Sequence, residues 1–174
     1  MAKDKKKRLL SEQRLLVDDA SISNDLKFRI EEAYKSIRAN IMFSVVKKGC
    51  KIIVVSSSLP NEGKTTTTVN LAASISQADQ RVLLIDGDLR KPKVHQYFSI
   101  PSAPGLTDYL SDVASARHKM DIFGIIHPTR YENLSVITSG TIPPNPAELL
   151  GSDFMRDFLN SISKDFDYII IDTP

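Results

Sequence analysis

The sequence predicts an α/β protein with a doubly wound, mostly parallel sheet and a helix near the N-terminus. Three observations lead to this fold class. Short apolar runs alternate with segments of helical periodicity, two of these runs end in an aspartate, and the first run is followed by a polar turn that opens a helix. Strands and helices that alternate in this way build parallel sheets covered by helices on both faces.

The predicted elements follow in order along the chain. A helix opens at Asn24, taken as its cap, and its apolar residues mostly recur every three or four positions, at Leu26, Phe28, Ile30, Ala33, Ile37 and Ile41. The strand KIIVV (51–55), a helix over 65–78 and the strand RVLLID (81–86) come next. A short helix around GLTDYL, the strand LSVIT (134–138), a proline-rich turn, one helix over 147–162 and the strand YIIID (168–172) complete the prediction.

Length and composition indicate one ordinary globular domain. The chain has 174 residues, of which 41% are hydrophobic and 25% are charged. We assign residues 24–174 to a nucleotide-binding domain and residues 1–23 to a basic flexible tail. The one cysteine, Cys50, excludes an intramolecular disulfide and suits a reducing compartment.

The net charge of +2 comes from the tail. Residues 1–8 carry five basic side chains against one acidic, a local charge of +4, which leaves −2 on the rest of the chain. The favoured interpretation is a solubilising tail, and contact with an anionic membrane surface is the alternative. Because the body is not basic and has no pattern of alternating aromatic and basic residues, a nucleic-acid partner is not expected.

The turn SSSLPNEGKTTTT, residues 56–68, predicts a phosphate-binding loop. The expected pattern is glycine, four residues, then Gly-Lys-Ser/Thr, and here Ser58 replaces the first glycine. Gly63 lets the backbone approach an oxyanion, Lys64 can reach the β- and γ-phosphates, and the Thr65 hydroxyl suits Mg²⁺. The candidate nucleotide-binding residues of this loop are Ser58, Asn61, Glu62, Gly63, Lys64, Thr65 and Thr66.

Acidic residues follow two other strands. Asp86 ends the second strand with Asp88 two residues later, and Asp172 ends the last strand. Because the carboxyl ends of parallel strands meet in one crevice, these carboxylates can organise Mg²⁺ opposite a bound polyphosphate. The implied ligand is a Mg-nucleoside triphosphate. Asp86 could also accept a proton from an attacking hydroxyl, although an aspartate at a strand end is more often a cap or turn residue.

Two longer segments resemble the bacterial tyrosine kinases (BY-kinases) that regulate capsule and exopolysaccharide synthesis. VLLIDGDLRKP resembles the second nucleotide motif of that family, with Asp86, Asp88 and Arg90 at matching positions. DYIIIDTP is similar to its Walker B segment, with Asp172 as the acidic residue. GLTDYL and SGTIPPNPAELL also resemble family stretches, and the similarity runs from about Glu31 to Pro174.

The resemblance implies roles for these residues and a reaction. Lys64 and Thr65 would hold the phosphates of ATP and Mg²⁺, and Asp86 would be the catalytic base and a metal organiser. Asp88 and Asp172 would complete the acidic set, while Arg90 would join the nucleotide site. The implied reaction is ATP-dependent autophosphorylation of tyrosines on a neighbouring subunit, in a cytoplasmic protein that a membrane adaptor recruits and activates.

The family also carries Glu-x-x-Arg-x-x-Arg on its N-terminal helix, where it serves ring assembly. The matching residues here are Glu32, Lys35 and Arg38, so a lysine stands in place of the first arginine. Residues three apart share a helix face and could present one charged stripe to a neighbouring subunit. Lysine keeps the charge but lacks the planar bidentate fork of arginine. An ordinary solvated face explains the charge pattern nearly as well.

The family pattern continues beyond Walker B and ends in a cluster of acceptor tyrosines. We therefore expect this chain to lack the C-terminal part of the domain and the tyrosine tail. The tyrosines that it does have are dispersed, and we expect them to pack in or against the core: Tyr34, Tyr97, Tyr109, Tyr131 and Tyr168.

Other functions remain open at this level. A MinD- or ParA-like nucleotide-dependent switch would place a lysine early in the phosphate loop, where this chain has Leu59. A scaffold that binds ATP without catalysis is a second alternative. A phosphate-loop hydrolase of small molecules is a third, and the cluster of Asp86, Asp88 and Arg90 favours the kinase over it.

Overall fold

A computed structural model describes residue 15 and residues 22–44, 48–115 and 119–174 of the chain. Its helices are α1 (Asn24–Ser44), α2 (Lys64–Ser76), α3 (Val94–Phe98), α4 (Leu106–Ala114), α5 (Pro146–Leu150) and α6 (Asp153–Ile162), with a 3-10 turn at Ile122–Ile125. Its strands are β1 (Lys51–Val55), β2 (Val82–Asp86), β3 (His127–Pro128), β4 (Leu134–Ile137) and β5 (Tyr168–Asp172).

The strands of the described residues form one sheet in the order β1-β5-β2-β4-β3. β1, β5, β2 and β4 are parallel, and the short β3 runs antiparallel to β4. Every residue of β2 and β5 is buried, as expected for strands with helices on both faces. The predicted doubly wound, mostly parallel sheet is therefore confirmed.

Two hydrophobic cores lie on the two faces of the sheet. Val82 and Leu84 of β2 belong to a core with α2, while Leu83 and Ile85 belong to a second core with α4 and α6. Successive residues of a strand point to opposite faces, which explains this division. The tyrosines pack in or against these cores as predicted: Tyr168 lies in the first core, Tyr109 packs against the second, and the others pack against the first, namely Tyr34, Tyr97 and Tyr131.

The N-terminal helix α1 is present, but its cap lies one residue earlier than predicted. The Ser23 hydroxyl accepts a hydrogen bond from the Leu26 amide at 3.3 Å, and the Ser23 carbonyl accepts one from the Lys27 amide at 2.9 Å. Asn24 is the first helical residue. Serine and asparagine are both good caps, so the sequence alone could not separate the two positions.

Only part of the apolar pattern that suggested α1 marks the face through which the helix packs. Leu26, Phe28 and Ile37 are 45%, 62% and 42% exposed. The helix rests on the first core through Ile41, which was among the predicted positions, and through Tyr34 and Met42, which were not. No described residue of α1 is fully buried. The helical period was predicted correctly, and packing against α2 decided which face turned inward.

The single helix predicted over 147–162 is two helices. α5 ends at Leu150, and α6 begins at Asp153 after Gly151 and Ser152. The Ser152 hydroxyl accepts a hydrogen bond from the Met155 amide at 3.3 Å, so it caps α6. Glycine is common where a helix ends and serine is common where one begins, so Gly151 and Ser152 mark the break. The sequence analysis missed it because the apolar residues keep a helical spacing across these two positions.

The predicted boundary between tail and domain stays a prediction, because residues 1–14 and 16–21 lie outside the described residues. Leu15, which falls within the predicted tail, is only 1% exposed and belongs to the first core. Among the helices that the structure describes, none has the length and apolar character needed to span a bilayer.

Gly105 has no room for a side chain at the junction between α4 and the end of β4. The Leu106 amide donates to the Thr138 carbonyl at 2.9 Å, and the Thr107 amide donates to the Ser139 carbonyl at 2.9 Å. A Cβ on Gly105 would overlap the Thr138 carbonyl oxygen and the amide nitrogen of Gly140. These neighbours are backbone atoms and cannot move aside independently.

We expect Gly105→Ala to lower the free energy of unfolding by about 2–4 kcal/mol, because the overlap forces the two segments apart. Urea unfolding monitored by circular dichroism measures the change. Gly124→Ala is the matched control, since a Cβ at Gly124 meets no atom within 4 Å. Its effect should stay within about 0.5 kcal/mol. Equal stability of the two variants would contradict the tight junction.

Candidate nucleotide-binding site

The phosphate loop, residues 56–63, joins the end of β1 to the start of α2. Two of its residues have left-handed backbone angles, Asn61 with a φ of 63° and Gly63 with a φ of 85°. Glycine adopts such angles without steric cost, and Gly63 immediately precedes Lys64, the first residue of α2. The free amides and the positive dipole end of this helix therefore face the loop, which favours an anion there.

Glu62 shapes the loop from within. Its carboxylate accepts a hydrogen bond from the Leu59 amide at 3.1 Å, which fixes the curvature of the segment between them. Ser57 adds a second brace by donating to the Leu59 carbonyl at 2.7 Å. The structure thus gives Glu62 a role in loop geometry, while its predicted contact with a nucleotide stays a prediction.

An open pocket of about 670 Å³ lies at the phosphate loop. Its volume falls within the range typical of small-molecule sites. The predicted site residues that line it are Ser58, Asn61, Gly63, Lys64, Thr65, Thr66, Asp88 and Arg90. Glu62, Asp86 and Asp172 are not among its lining residues.

Seven lining residues were missed by the sequence analysis, namely Ser57, Leu59, Pro60, Lys91, Lys93, Tyr97 and Pro174. The basic run from Arg90 to Lys93 was a usable signal for two of them, because it directly follows the acidic motif. Nothing in the local sequence marked Tyr97. Its position depends on α3, a short helix that was not predicted and that packs against α2.

Lys64 extends over the phosphate loop. Its ammonium donates to the Ser57 hydroxyl at 3.0 Å and lies 3.5 Å from the Leu59 carbonyl. Both partners are uncharged, so the positive charge of Lys64 remains available to an anion in the pocket. The predicted contact of Lys64 with the terminal phosphates stays a prediction.

The first threonine of α2 is tied to the last strand. The Thr65 hydroxyl donates to Oδ2 of Asp172 at 2.7 Å, and the Thr68 hydroxyl donates to Oδ1 of the same carboxylate at 3.0 Å. Burial raises the pKa of Asp172, and these two hydrogen bonds lower it in part. Asp172 therefore lies beneath the pocket floor, in direct contact with a residue that lines the pocket.

Asp86 lies beside Asp172 at the edge of the sheet, since the two residues are register partners of β2 and β5. Its side chain is fully buried, and Oδ2 accepts a hydrogen bond from the Val94 amide at 3.0 Å. Oδ1 has no hydrogen-bond partner among the described residues. The Asp88 amide lies near the carboxylate and lowers the pKa of Asp86, because it stabilises the charged form of the side chain. Burial is the main cause that raises the pKa of Asp86 to about 7.

Asp88 closes the turn that carries the basic residues. Its Oδ1 accepts hydrogen bonds from the Arg90 amide at 3.2 Å and the Lys91 amide at 2.9 Å. Asp88 and Arg90 both line the pocket. The turn therefore fixes a short basic segment at the rim, close to the phosphate loop.

The residues predicted to bind the metal lie at one edge of the sheet, but some of them line the pocket and others are buried. Asp88 lines the pocket with Thr65, whereas Asp86 and Asp172 are buried behind it. Among the described residues, no three acidic, histidine or cysteine side chains form a metal-binding cluster. The oxygen donors present nevertheless fit Mg²⁺, which in nucleotide sites takes one or two protein ligands together with phosphates and waters.

The three residues predicted to form an oligomer contact do not share one free face. Lys35 pairs with Glu32 at 2.8 Å, and both side chains are about half exposed. Arg38 instead donates from Nη1 to the Ser74 carbonyl of α2 at 2.5 Å. Arg38 thus holds α1 against the nucleotide-binding helix within one chain. A role of these residues in assembly stays a prediction.

A family model and several relatives match most of this chain. A family model described as an AAA domain matches residues 50–174. The tyrosine-protein kinase YwqD of Bacillus subtilis is 41% identical over 143 residues, which is 82% of this chain and 58% of YwqD. CpsD of Streptococcus pneumoniae, also a tyrosine-protein kinase, is 42% identical over 146 residues, or 83% of this chain and 61% of CpsD. The chain thus spans about three fifths of these relatives.

Solved structures also resemble this chain. The kinase domain of the Escherichia coli tyrosine kinase ETK has a TM-score of 0.75 at 35% identity, covering 83% of this chain and 54% of that one. The chimerical protein CapA2B2 has a TM-score of 0.76 at 36% identity over 92% of this chain and 66% of its own. MinD of Pyrococcus horikoshii shares only the fold, with a TM-score of 0.58 at 24% identity over 72% of this chain and 49% of its own. With its matching fold, motifs and relatives, this chain belongs to the bacterial tyrosine-kinase family.

Proposed function

We propose that the chain is the nucleotide-binding part of an ATP-dependent protein-tyrosine kinase that regulates capsular or exopolysaccharide synthesis. The observation that carries the proposal is the buried Asp86, which lies at the same sheet edge as the phosphate loop and keeps one oxygen unpartnered. The tyrosine kinases among its relatives indicate the acceptor, a tyrosine hydroxyl.

The pocket supports a polyphosphate ligand by its charge. Lys64, Arg90, Lys91 and Lys93 line it, against Asp88 as the acidic lining residue. We assign the β- and γ-phosphates of ATP to Lys64 and to the amides at the start of α2. The three basic residues of the rim add positive charge on the side of the second nucleotide motif.

We assign Mg²⁺ to Thr65 and to the acidic residues at the same edge, Asp172, Asp86 and Asp88. When bound, Mg²⁺ neutralises part of the negative charge of the triphosphate. The Thr65 hydroxyl and the Asp172 carboxylate are already held together at 2.7 Å, so two oxygen donors are preorganised beside the pocket. These ligands are proposals and rest on donor chemistry.

Asp86 is the proposed general base. A base works best when its pKa lies near the operating pH, and burial raises the pKa of Asp86 to about 7. Because Asp86 is buried behind the pocket, its unpartnered Oδ1 would take the proton of the acceptor hydroxyl through one water. Asp88 would act indirectly, by holding the turn that brings Arg90 to the pocket.

The acceptor tyrosines are proposed to lie on another subunit or segment. The tyrosines of this chain pack in or against the two cores, and Tyr97, which lines the pocket, has its hydroxyl hydrogen-bonded to Thr66. We also propose assembly into a ring, with α1 at the contact, and activation by a membrane adaptor that recruits the protein to the inner face of the membrane. The CapA2B2 chimera, a fused relative, is compatible with such a partner.

The test of this function is intact mass spectrometry after incubation with Mg-ATP. The samples are the 174-residue chain and the product of its complete gene, each beside its Lys64→Ala variant. We expect phosphotyrosine on the complete product and none on its variant. Confirmed ATP binding without phosphotyrosine on either wild-type sample would contradict the kinase and favour a nucleotide-dependent switch or a scaffold.

A further inference from the structure

The threonines in the run that opens α2 interact with residues outside their own turn. Thr65 and Thr68 contact Asp172, Thr67 contacts Tyr34 of α1, and Thr66 contacts Tyr97 of α3. The hydroxyl oxygens of Thr66 and Tyr97 are 2.8 Å apart. Of the two tyrosine–threonine pairs, only the pair of Thr66 and Tyr97 lines the nucleotide pocket.

The hydrogen-bond inventory of this pair determines what it can offer to a ligand. Each hydroxyl of the pair can donate one hydrogen and can also accept, so either oxygen can be the donor across the 2.8 Å contact. Burial raises the pKa of Tyr97, so its phenol remains a neutral donor at physiological pH. The Thr66 carbonyl already accepts from the Asn70 side chain at 2.7 Å, which fixes the backbone of this residue. When Tyr97 donates to Thr66, the hydroxyl hydrogen of Thr66 is left for a further acceptor.

We propose that Tyr97 is a positioning residue of the nucleotide site, whose hydroxyl donates to Thr66 Oγ1 and so directs the Thr66 hydroxyl hydrogen toward a phosphate oxygen in the pocket. This inference rests on the proposed function, because it requires that the pocket binds a phosphate. The proposed hydrogen bonds run in one direction, from Tyr97 to Thr66 and from Thr66 to the phosphate. Each hydrogen bond in such a series strengthens the next. The ligand class is a nucleoside di- or triphosphate.

A purely structural role for Tyr97 makes a different prediction. Its ring packs against the first core beside Phe98 and Ile100, and that contact does not need the hydroxyl. Tyr97→Phe keeps the ring and removes only the hydroxyl. If packing were its whole contribution, this variant would bind nucleotide as the wild type does.

The test is a double-mutant cycle on binding of Mg-ADP to the 174-residue chain, measured by titration calorimetry. We expect Tyr97→Phe to weaken binding about 3- to 5-fold and Thr66→Val about 5- to 10-fold. The double variant should bind within about 2-fold of Thr66→Val, because the phenol acts through the threonine. The unfolding midpoint without nucleotide should change little, while the stabilisation that Mg-ADP confers should fall.

Tyr34→Phe is the matched control. It removes the same hydroxyl from the neighbouring pair, whose Thr67 does not line the pocket. Its affinity for Mg-ADP should equal that of the wild type. Wild-type affinity in Tyr97→Phe, or fully additive effects in the double variant, would overturn the positioning role but leave the proposed kinase function standing. Failure of the wild type itself to bind Mg-ADP would overturn both.

Discussion

Replacement of Lys64 by alanine is expected to weaken binding of Mg-ATP about 30- to 100-fold, because it removes a charged hydrogen bond to the phosphates. The fold should survive. Among the described residues, the Lys64 ammonium hydrogen-bonds to the Ser57 hydroxyl and the Leu59 carbonyl, and Lys64 belongs to neither hydrophobic core. The free energy of unfolding should therefore change by no more than about 0.5 kcal/mol. Titration calorimetry with a nonhydrolysable ATP analogue measures the affinity.

Lys164→Ala serves as the control for this experiment. Lys164 is an exposed lysine just after α6, and its loss changes the net charge by the same amount. Binding by this variant should match the wild type, which separates a local contact from a general electrostatic effect. Unchanged affinity in folded Lys64→Ala would refute the assignment of the phosphate loop.

Asp86→Asn is expected to reduce phosphoryl transfer at least about 100-fold, since an amide cannot take the proton of the acceptor hydroxyl. The measurement is the rate of phosphotyrosine formation by the complete gene product under saturating Mg-ATP. Asparagine keeps an oxygen for the hydrogen bond from the Val94 amide, so the local backbone should be preserved. A rate within a few-fold of the wild type would remove Asp86 from the role of base.

The same variant should also change how stability depends on pH in the protein without metal or nucleotide. Burial raises the pKa of Asp86 from an unfolded value of about 3.9 to about 7, so the folded state binds the proton more tightly. The wild type is therefore most stable below the unfolded pKa and loses stability as the pH rises through 7. Between pH 5 and pH 8 it should lose about 2–3 kcal/mol more than Asp86→Asn.

Urea unfolding in the presence of EDTA at several pH values measures this difference. Asp165→Asn is the control, because Asp165 is exposed at the end of α6 and should leave the slope of the wild type unchanged. Asp172 also has a raised pKa, so some pH dependence should remain in Asp86→Asn. Parallel curves for the wild type and Asp86→Asn would show that the folded protein does not hold a proton on Asp86.

Much of the site could be predicted because its residues adjoin strong local signals. Gly63, Lys64 and Thr65 follow an apolar strand and open a helix, and Asp86 and Asp172 end two other strands. Parallel strands necessarily bring such ends together, and the register of β2 and β5 places the two carboxylates side by side. The local pattern and the topology therefore agree at this edge of the sheet.

The sequence by itself determined the α/β class, the phosphate loop and the acidic strand ends, because these depend on residue type and short spacing. Only the tertiary structure decided the burial of Asp86, the face of α1 that packs inward and the contact between Tyr97 and Thr66. The physical reason is that burial and long-range contacts depend on how elements pack. Thr66 and Tyr97 are 31 residues apart in the chain, and no local periodicity records the hydrogen bond between them.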